Sequence, residues 1–194
     1  MFSKKFLGLK YTRTFIVLTI TTVIFLCYSG IFYPFVPHIK KTKEIILQQN
    51  KLYDINRRIV VTLSNVIDAK DKYTQGHSRR VAEYTKKLAI KLGFDEEEIR
   101  KCHNIALLHD IGKVAIPDAI LNKPEGLDDN EYEIMKSHAE RGEEILKEIK
   151  MDEDLALGAG YHHERIDGKG YPKGLKGDEI PKIAQLIAVA DTFD

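Results

Sequence analysis

Apolar positions along this chain repeat with helical spacing rather than the two-residue alternation of strands. Residues 41–69 contain neither Gly nor Pro, and Ile45, Leu52, Ile59 and Val66 recur every seven residues. Ile55 fits the companion position of a heptad, but Gln48 and Thr62 do not, so the seam is partial. Two readings stay open: a short parallel coiled coil pairing two copies through residues 45–66, or a helix laid on the core of its own domain. Further on, Val81, Ala82, Leu88, Ala89 and Leu92 mark a helix that Gly93 stops. Asp95, followed by Glu96, Glu97 and Glu98, reads as an N-cap with acids in the first turn, opening a helix through Ile99, Cys102, Ile105, Ala106 and Leu108. A connector from Pro117 passes Leu121, Pro124 and Gly126. Asp128 then caps a helix reaching about Lys150, and Asp152 begins another ending at Tyr161. Residues 164–181 are rich in Gly and Pro and predict a loop, after which residues 183–193 resume a helix. The pattern predicts an all-α fold.

The N-terminal region differs. Residues 15–36 form a run of 22 positions without a charge, flanked by Lys4, Lys5, Lys10 and Arg13 before it and by His38, Lys40, Lys41 and Lys43 after it. About 20 apolar residues suffice to span a bilayer, so a membrane anchor over residues 1–40 is expected. A signal peptide fits less well, because its apolar region is shorter and Pro34 and Pro37 stand where cleavage would be sought. Basic residues on both flanks leave the orientation unset by charge. The expected division is an anchor (1–40), a linker helix (41–69) and a helical domain (70–194).

Charge narrows the function little: 30 basic and 29 acidic residues give a net charge of +1, no basis for binding a nucleic-acid polymer. The two cysteines, Cys27 and Cys102, form no CxxC pair, which argues against a disulfide framework and a thiolate zinc site. Histidines change the picture. Five of the seven, His77, His109, His138, His162 and His163, lie beside turn signals or helical apolar faces, together with Asp110 and Asp191. Any one of them alone is an ordinary surface or core residue. As a set, imidazoles and carboxylates are ligands for Zn, Mn or Fe. His109 and Asp110 are adjacent, as are His162 and His163, and one carboxylate has two oxygens with which to bridge two cations. Lys113, three positions after Asp110, lies on the same helical side, where its point charge suits a substrate phosphate.

The motifs carrying these residues resemble a known family. HDIGK at residues 109–113 looks like the signature of the HD phosphohydrolase superfamily, and GYHHERIDGKGYP at 160–172 resembles the extended signature of its HD-GYP branch. DKYTQGHSRRV at 71–81, LNKP at 121–124 followed by His138, and VADTFD at 189–194 match its other motifs, so the resemblance covers about residues 65–194. It implies a helical HD-domain bundle holding two divalent metal ions, with iron or manganese favoured. His77, His109, Asp110 and Asp191 would hold one metal, and His138, His162 and His163 the other, with Asp110 bridging. Some members take a third metal through an acid four residues before the first histidine. Tyr73 stands there, so two are expected. The implied activity is metal-dependent hydrolysis of cyclic di-GMP to pGpG and GMP by a hydroxide shared between the cations, with the catalytic part in the cytoplasm. Asp110 and Lys113 are the expected catalytic residues. Lys113, Arg165, Lys169, Gly170, Tyr171 and Pro172 are the expected substrate contacts, with Asp194 orienting a ligand from behind. The domain of this family continues past the position of Asp194 through further helices with a basic motif, so the chain is expected to be incomplete at its C-terminus. The alternatives are a weakly active or inactive signalling module that binds a nucleotide or a protein partner, and a hydrolase of another phosphoester such as cyclic GMP–AMP.

Overall fold

The structure, a computed structural model, describes residues 3–30, 35–149 and 152–194. Eight α-helices run in order among them: α1 (Ser3–Tyr28), α2 (Phe35–Lys70), α3 (His77–Lys91), α4 (Glu96–Leu107), α5 (Asp118–Leu121), α6 (Asp129–Lys147), α7 (Glu153–Tyr161) and α8 (Lys182–Phe193). Short 3-10 helices at Ile111–Ala115 and Gly177–Glu179 interrupt the connections, and there is no strand among the described residues beyond an isolated bridge between Asp167 and Lys176. The chain divides into two compact units, residues 1–54 and 55–194.

In the first unit, the expected membrane anchor is corrected. Among the described residues, no helix is long and apolar enough to cross a membrane. The reason is where the helix ends. α1 stops at Tyr28 and Gly30 takes a left-handed φ of 73°, so of the uncharged run only residues 15–28 are helical before that turn. Those 14 residues rise about 21 Å against the roughly 30 Å of a bilayer core. Residues 31–34, the far end of the expected span, lie outside the described residues. A single-pass membrane location over residues 15–36 is therefore not retained.

In the second unit, acidic caps start the helices as the pattern predicts. Asp95 accepts hydrogen bonds from the Glu97 and Glu98 amides while Glu98 reaches back to the Asp95 amide, and Asp128 and Glu131 form the same reciprocal pair on α6. Asp152 caps α7 through the Asp154 amide. α3, α4 and α8 close on one apolar cluster that includes Val81, Ala82, Ile105, Ala106, Ile187 and Ala190. A second cluster joins Ile67 of α2 to Leu108, Ile111, Leu146 of α6, and Ala156 and Ala159 of α7. Burying such side chains supplies the main stabilisation, about 1.5–3 kcal/mol for each large one.

The end of α2 belongs to this core. Ile67 is buried and Val60 packs against both clusters, whereas Ile59 and Val66 of the heptad seam stay exposed. Lys70 closes the helix with its Nζ donating to the carbonyls of Lys113, Val114 and Ile116 at 3.0, 2.8 and 2.6 Å. That lysine caps the 3-10 turn holding the HDIGK residues. Gly112 in that turn is required by close approach: a Cβ there would lie 1.8 Å from the His138 carbonyl oxygen and 2.6 Å from the Gly142 amide of α6.

Candidate metal centre

His109 and Asp110 sit just beyond α4, in the tight turn that leads into the 3-10 helix, rather than within a helix. This turn is surrounded by the start of α3 (His77), the middle of α6 (His138), the end of α7 (His162, with His163 next) and the last turn of α8 (Asp191). Five elements thus deliver seven side chains to one place, although the two most distant, His77 and Asp191, are separated by most of the domain's sequence.

Helix geometry orients three of the rings. The Nδ1–H of His109 donates to the Ala106 carbonyl at 2.8 Å, that of His138 to Met135 at 2.7 Å and that of His162 to Ala159 at 2.8 Å. Each bond runs three residues back and fixes a tautomer that presents Nε2 with a free lone pair. Nε2 of His109 and of His162 are buried without a hydrogen-bond partner. A buried polar atom left unpaired is costly, so an orphaned ring nitrogen aimed into a cluster of imidazoles and carboxylates fits a site able to hold a cation.

The donor atoms fall into two groups: Asp110, His138, His162 and His163, and separately His77, His109 and Asp191. Asp110 faces both. Its Oδ1 lies 3.4 Å from Nε2 of His138 and 3.8 Å from Nε2 of His162, while its Oδ2 lies 3.3 Å from Nε2 of His109 and 4.0 Å from Nε2 of His77. One oxygen toward each group would let a single carboxylate serve both. His163 Nε2 approaches His138 Nε2 to 3.2 Å, and Asp191 Oδ1 is 3.0 Å from His77 Nε2 and 3.9 Å from His109 Nε2. The donors are all nitrogen and oxygen, since Cys102 is buried in the apolar core and Cys27 lies on α1. That set suits a divalent cation rather than a thiolate-bound one.

Electrostatics differ across the cluster. Hydrogen bonding to Asp191 raises His77 to about 9 against the opposition of burial, with Asp194 adding to the effect. Burial works to lower His109, but the neighbouring Asp110 outweighs it and the ring is raised. Burial lowers His138, outweighing Asp110 and the Met135 carbonyl, which favour the charged ring. Burial together with the adjacent His163 holds His162 well below its usual range, and burial beside His138 brings His163 down to about 4. Burial opposes the charge on Asp110, yet His109 and Lys113 keep its carboxyl well below the ordinary value.

Supporting contacts add residues that the sequence pattern did not single out. Lys113 Nζ donates to Asp110 Oδ2 at 2.8 Å and to Asp71 Oδ2 at 2.9 Å, and these two acids outweigh burial to raise the lysine. Asp194 accepts a hydrogen bond from Nδ1 of His77 at 2.9 Å and a two-pronged pair from Arg80 at 2.7 and 2.8 Å. Asp71 and Arg80 both lie in the 71–81 motif, so the signal was present without a role attached to it.

Among the expected substrate contacts, Tyr171 is at the cluster: its ring stacks on His163 with centroids 4.7 Å apart and planes 25° apart. Gly170 and Pro172 flank it in the loop. Arg165 is engaged elsewhere, paired with Asp167 at 2.7 Å on the exposed face of the loop, and Lys169 is exposed beside it. Tyr73, four residues before His77, is exposed.

Comparison with known proteins follows this geometry. The chain is 44% identical over 136 residues to a 3′3′-cGAMP-specific phosphodiesterase 3 of Vibrio cholerae, spanning 70% of this chain and 30% of that protein. It is 38% identical over 154 residues to the cyclic di-GMP phosphodiesterase response regulator RpfG of Xanthomonas campestris, spanning 78% of this chain and 41% of the relative. The chain therefore spans less than half the length of either. The crystal structure of a cyclic GMP–AMP-specific phosphodiesterase of V. cholerae superposes with a TM-score of 0.55 at 20% identity, over 70% of this chain and 39% of that one, which speaks for the helical fold. Residues 61–194, more than half of the chain and including all seven clustered side chains, match the family described as HD domain, and the chain belongs to that family.

Proposed function

We propose that this chain is a metal-dependent phosphodiesterase that opens a cyclic dinucleotide, cyclic di-GMP, to linear pGpG and on to GMP. One observation carries the reading: two ligand groups share the two oxygens of a single carboxylate, Asp110, with Lys113 at its edge. The names of the relatives supply the substrate class. Two divalent cations, iron or manganese by the family resemblance, would be held by His77, His109, Asp110 and Asp191 on one side and by Asp110, His138, His162 and His163 on the other. Bound there, they supply Lewis acidity for the phosphoryl group and a nucleophile from water at neutral pH.

The chain's own residues do the rest. Ala106, Met135 and Ala159 lock the ring tautomers, and Asp194 holds His77 at Nδ1. Lys113 carries a positive charge that can turn from Asp110 to a phosphate oxygen while Asp71 keeps it in place. Tyr171, with Gly170 and Pro172, walls the His163 side. Arg165 and Lys169 remain outer contacts, Arg165 only after leaving Asp167. A homodimer through residues 45–66 belongs to the same reading, supported by the exposure of Ile45, Leu52, Ile59 and Val66. A chain that sediments as a monomer at micromolar concentration removes it.

A second reading is favoured by the 44% identity to a relative named for cyclic GMP–AMP: the same centre acting on that mixed dinucleotide. Manganese- or iron-loaded protein incubated separately with cyclic di-GMP and cyclic GMP–AMP, with products resolved by chromatography, distinguishes the two. Metal-loaded protein that leaves both substrates intact overturns the enzyme reading. Binding of cyclic di-GMP that survives His109→Ala and Asp110→Ala would instead mark a signalling module.

A further inference from the structure

The side chain of Glu164, immediately after the histidine pair, is not among the clustered ligands, yet the residue is only 4% exposed. Its two oxygens take separate partners across the loop: Oε1 accepts from the Lys173 amide at 2.6 Å and Oε2 from the Leu175 amide at 2.9 Å. The loop leaves at His163, turns through residues 165–170 and returns, and these two bonds hold the returning arm against its own start. Two further contacts depend on that closure. The Tyr171 amide donates to the His163 carbonyl at 3.2 Å. Gly170 lies so close to the departing arm that a Cβ would sit 2.4 Å from the Arg165 nitrogen and 2.5 Å from the His163 oxygen. Tyr171 is thereby delivered onto the His163 ring at 4.7 Å. His163 needs such a support. His109, His138 and His162 each have Nδ1 tied to a helix carbonyl, whereas the polar contact found for the His163 ring is the one at Nε2, facing His138.

We propose that Glu164 is a positioning residue for one half of the metal centre: its carboxylate clasps the loop closed and, through Tyr171, fixes the His163 ring as a ligand. A charged acceptor on two amides is among the stronger hydrogen-bonding arrangements, which suits a clasp. The inference rests on the metal-centre reading, and it concerns only the His138–His162–His163 side. His77 and Asp191 have no contact with this loop arm in the bonds described above, so their half is expected to be indifferent to Glu164.

The test uses cobalt(II) alone, titrated into metal-free full chain and followed by visible absorption and calorimetry. His77→Ala protein isolates the His163 half and His162→Ala protein isolates the other. Adding Glu164→Ala in the first background is expected to weaken cobalt binding about 10–100-fold, the usual cost of losing a residue that orients a ligand, and to leave the second background within twofold. Glu164→Gln, which keeps one acceptor oxygen, is expected to fall between and serves where the alanine variant does not fold. Equal weakening in both backgrounds means a general loss of structure and overturns the assignment, as does no change in either. Wild-type chain that takes up no cobalt overturns the metal centre itself, and the assignment with it. Those failures are distinguishable.

Discussion

His77 and His109 face carboxylates, whereas His138, His162 and His163 face chiefly one another across a shared oxygen of Asp110. In the first half, Asp191, Asp194 and Asp110 favour the protonated ring, so a positive charge is stored where the proposed cation would bind. In the second half, burial keeps the rings neutral and their lone pairs ready. The acid-rich half must release a proton to take a metal, and the dry half need not. The same ligand type is thus prepared by two routes, ion pairing and desolvation.

The largest expected effect tests whether the halves are joined. Asp110→Ala removes the carboxylate common to both and is expected to lower uptake of both metals by more than about 100-fold, beyond the loss from any orienting residue, with hydrolysis falling to background. Metal content by mass spectrometry after gel filtration checks this. His77→Ala and His162→Ala are each expected to leave one metal per chain. Either variant losing both would mean that the halves are a single site. Next in size, Asp194→Asn removes the carboxylate behind His77 and is expected to weaken metal binding about 10-fold in the first half only, the mirror image of Glu164→Ala. Calorimetric titration of both variants gives the crossed pattern or abolishes it.

The smallest effect is a proton count. His77 sits at about 9 instead of the usual 6.5, so at pH 7.5 it is charged, and loading its half releases at least the His77 proton. His163 sits at about 4 and is already neutral, so loading its half releases almost none. Titration in two buffers of different ionisation enthalpy reads the difference directly. The same shifts set the stability of the metal-free chain. The His77 contribution is complete below pH 6.5 and is lost as pH rises through about 9. The His163 contribution is complete above pH 6.5 and is lost as pH falls through about 4. Metal-free protein should therefore melt highest near pH 6.5 and lower on either side.

Much of this was legible before the fold. Asp95, Asp128 and Asp152 were readable as caps because capping is local chemistry between residues two or three apart. The seven clustered side chains were readable because they sit in five short motifs in order along the chain. What stayed hidden is contact across the chain. Asp71 stood in the 71–81 motif without a role, and only folding brings it to Lys113, 42 positions later. Glu164 stood in the 160–172 motif without a role, because a carboxylate bonding to amides leaves no mark on the amides' side chains. The N-terminal reading failed for a related reason. Counting uncharged residues measures hydropathy along the sequence, but not where the helix breaks, and the turn at Gly30 shortens the helical run. The reach of α2 into the core was one of two open readings, and the sequence could not choose between them, since its seam and its packed positions, Ile59 beside Val60 and Val66 beside Ile67, occupy neighbouring residues.

The absent side chain of Gly112 carries a last consequence. The turn bearing Asp110 rests on α6 through bare backbone, peptide against peptide, at the level of His138. The gap between the two halves is therefore gauged by the thickness of the main chain, a dimension that rotamer changes cannot adjust. A designer wishing to fit larger cations would gain little by altering the ligands one at a time. The helix itself would have to be moved off the turn, and any residue larger than glycine at position 112 would begin to do that.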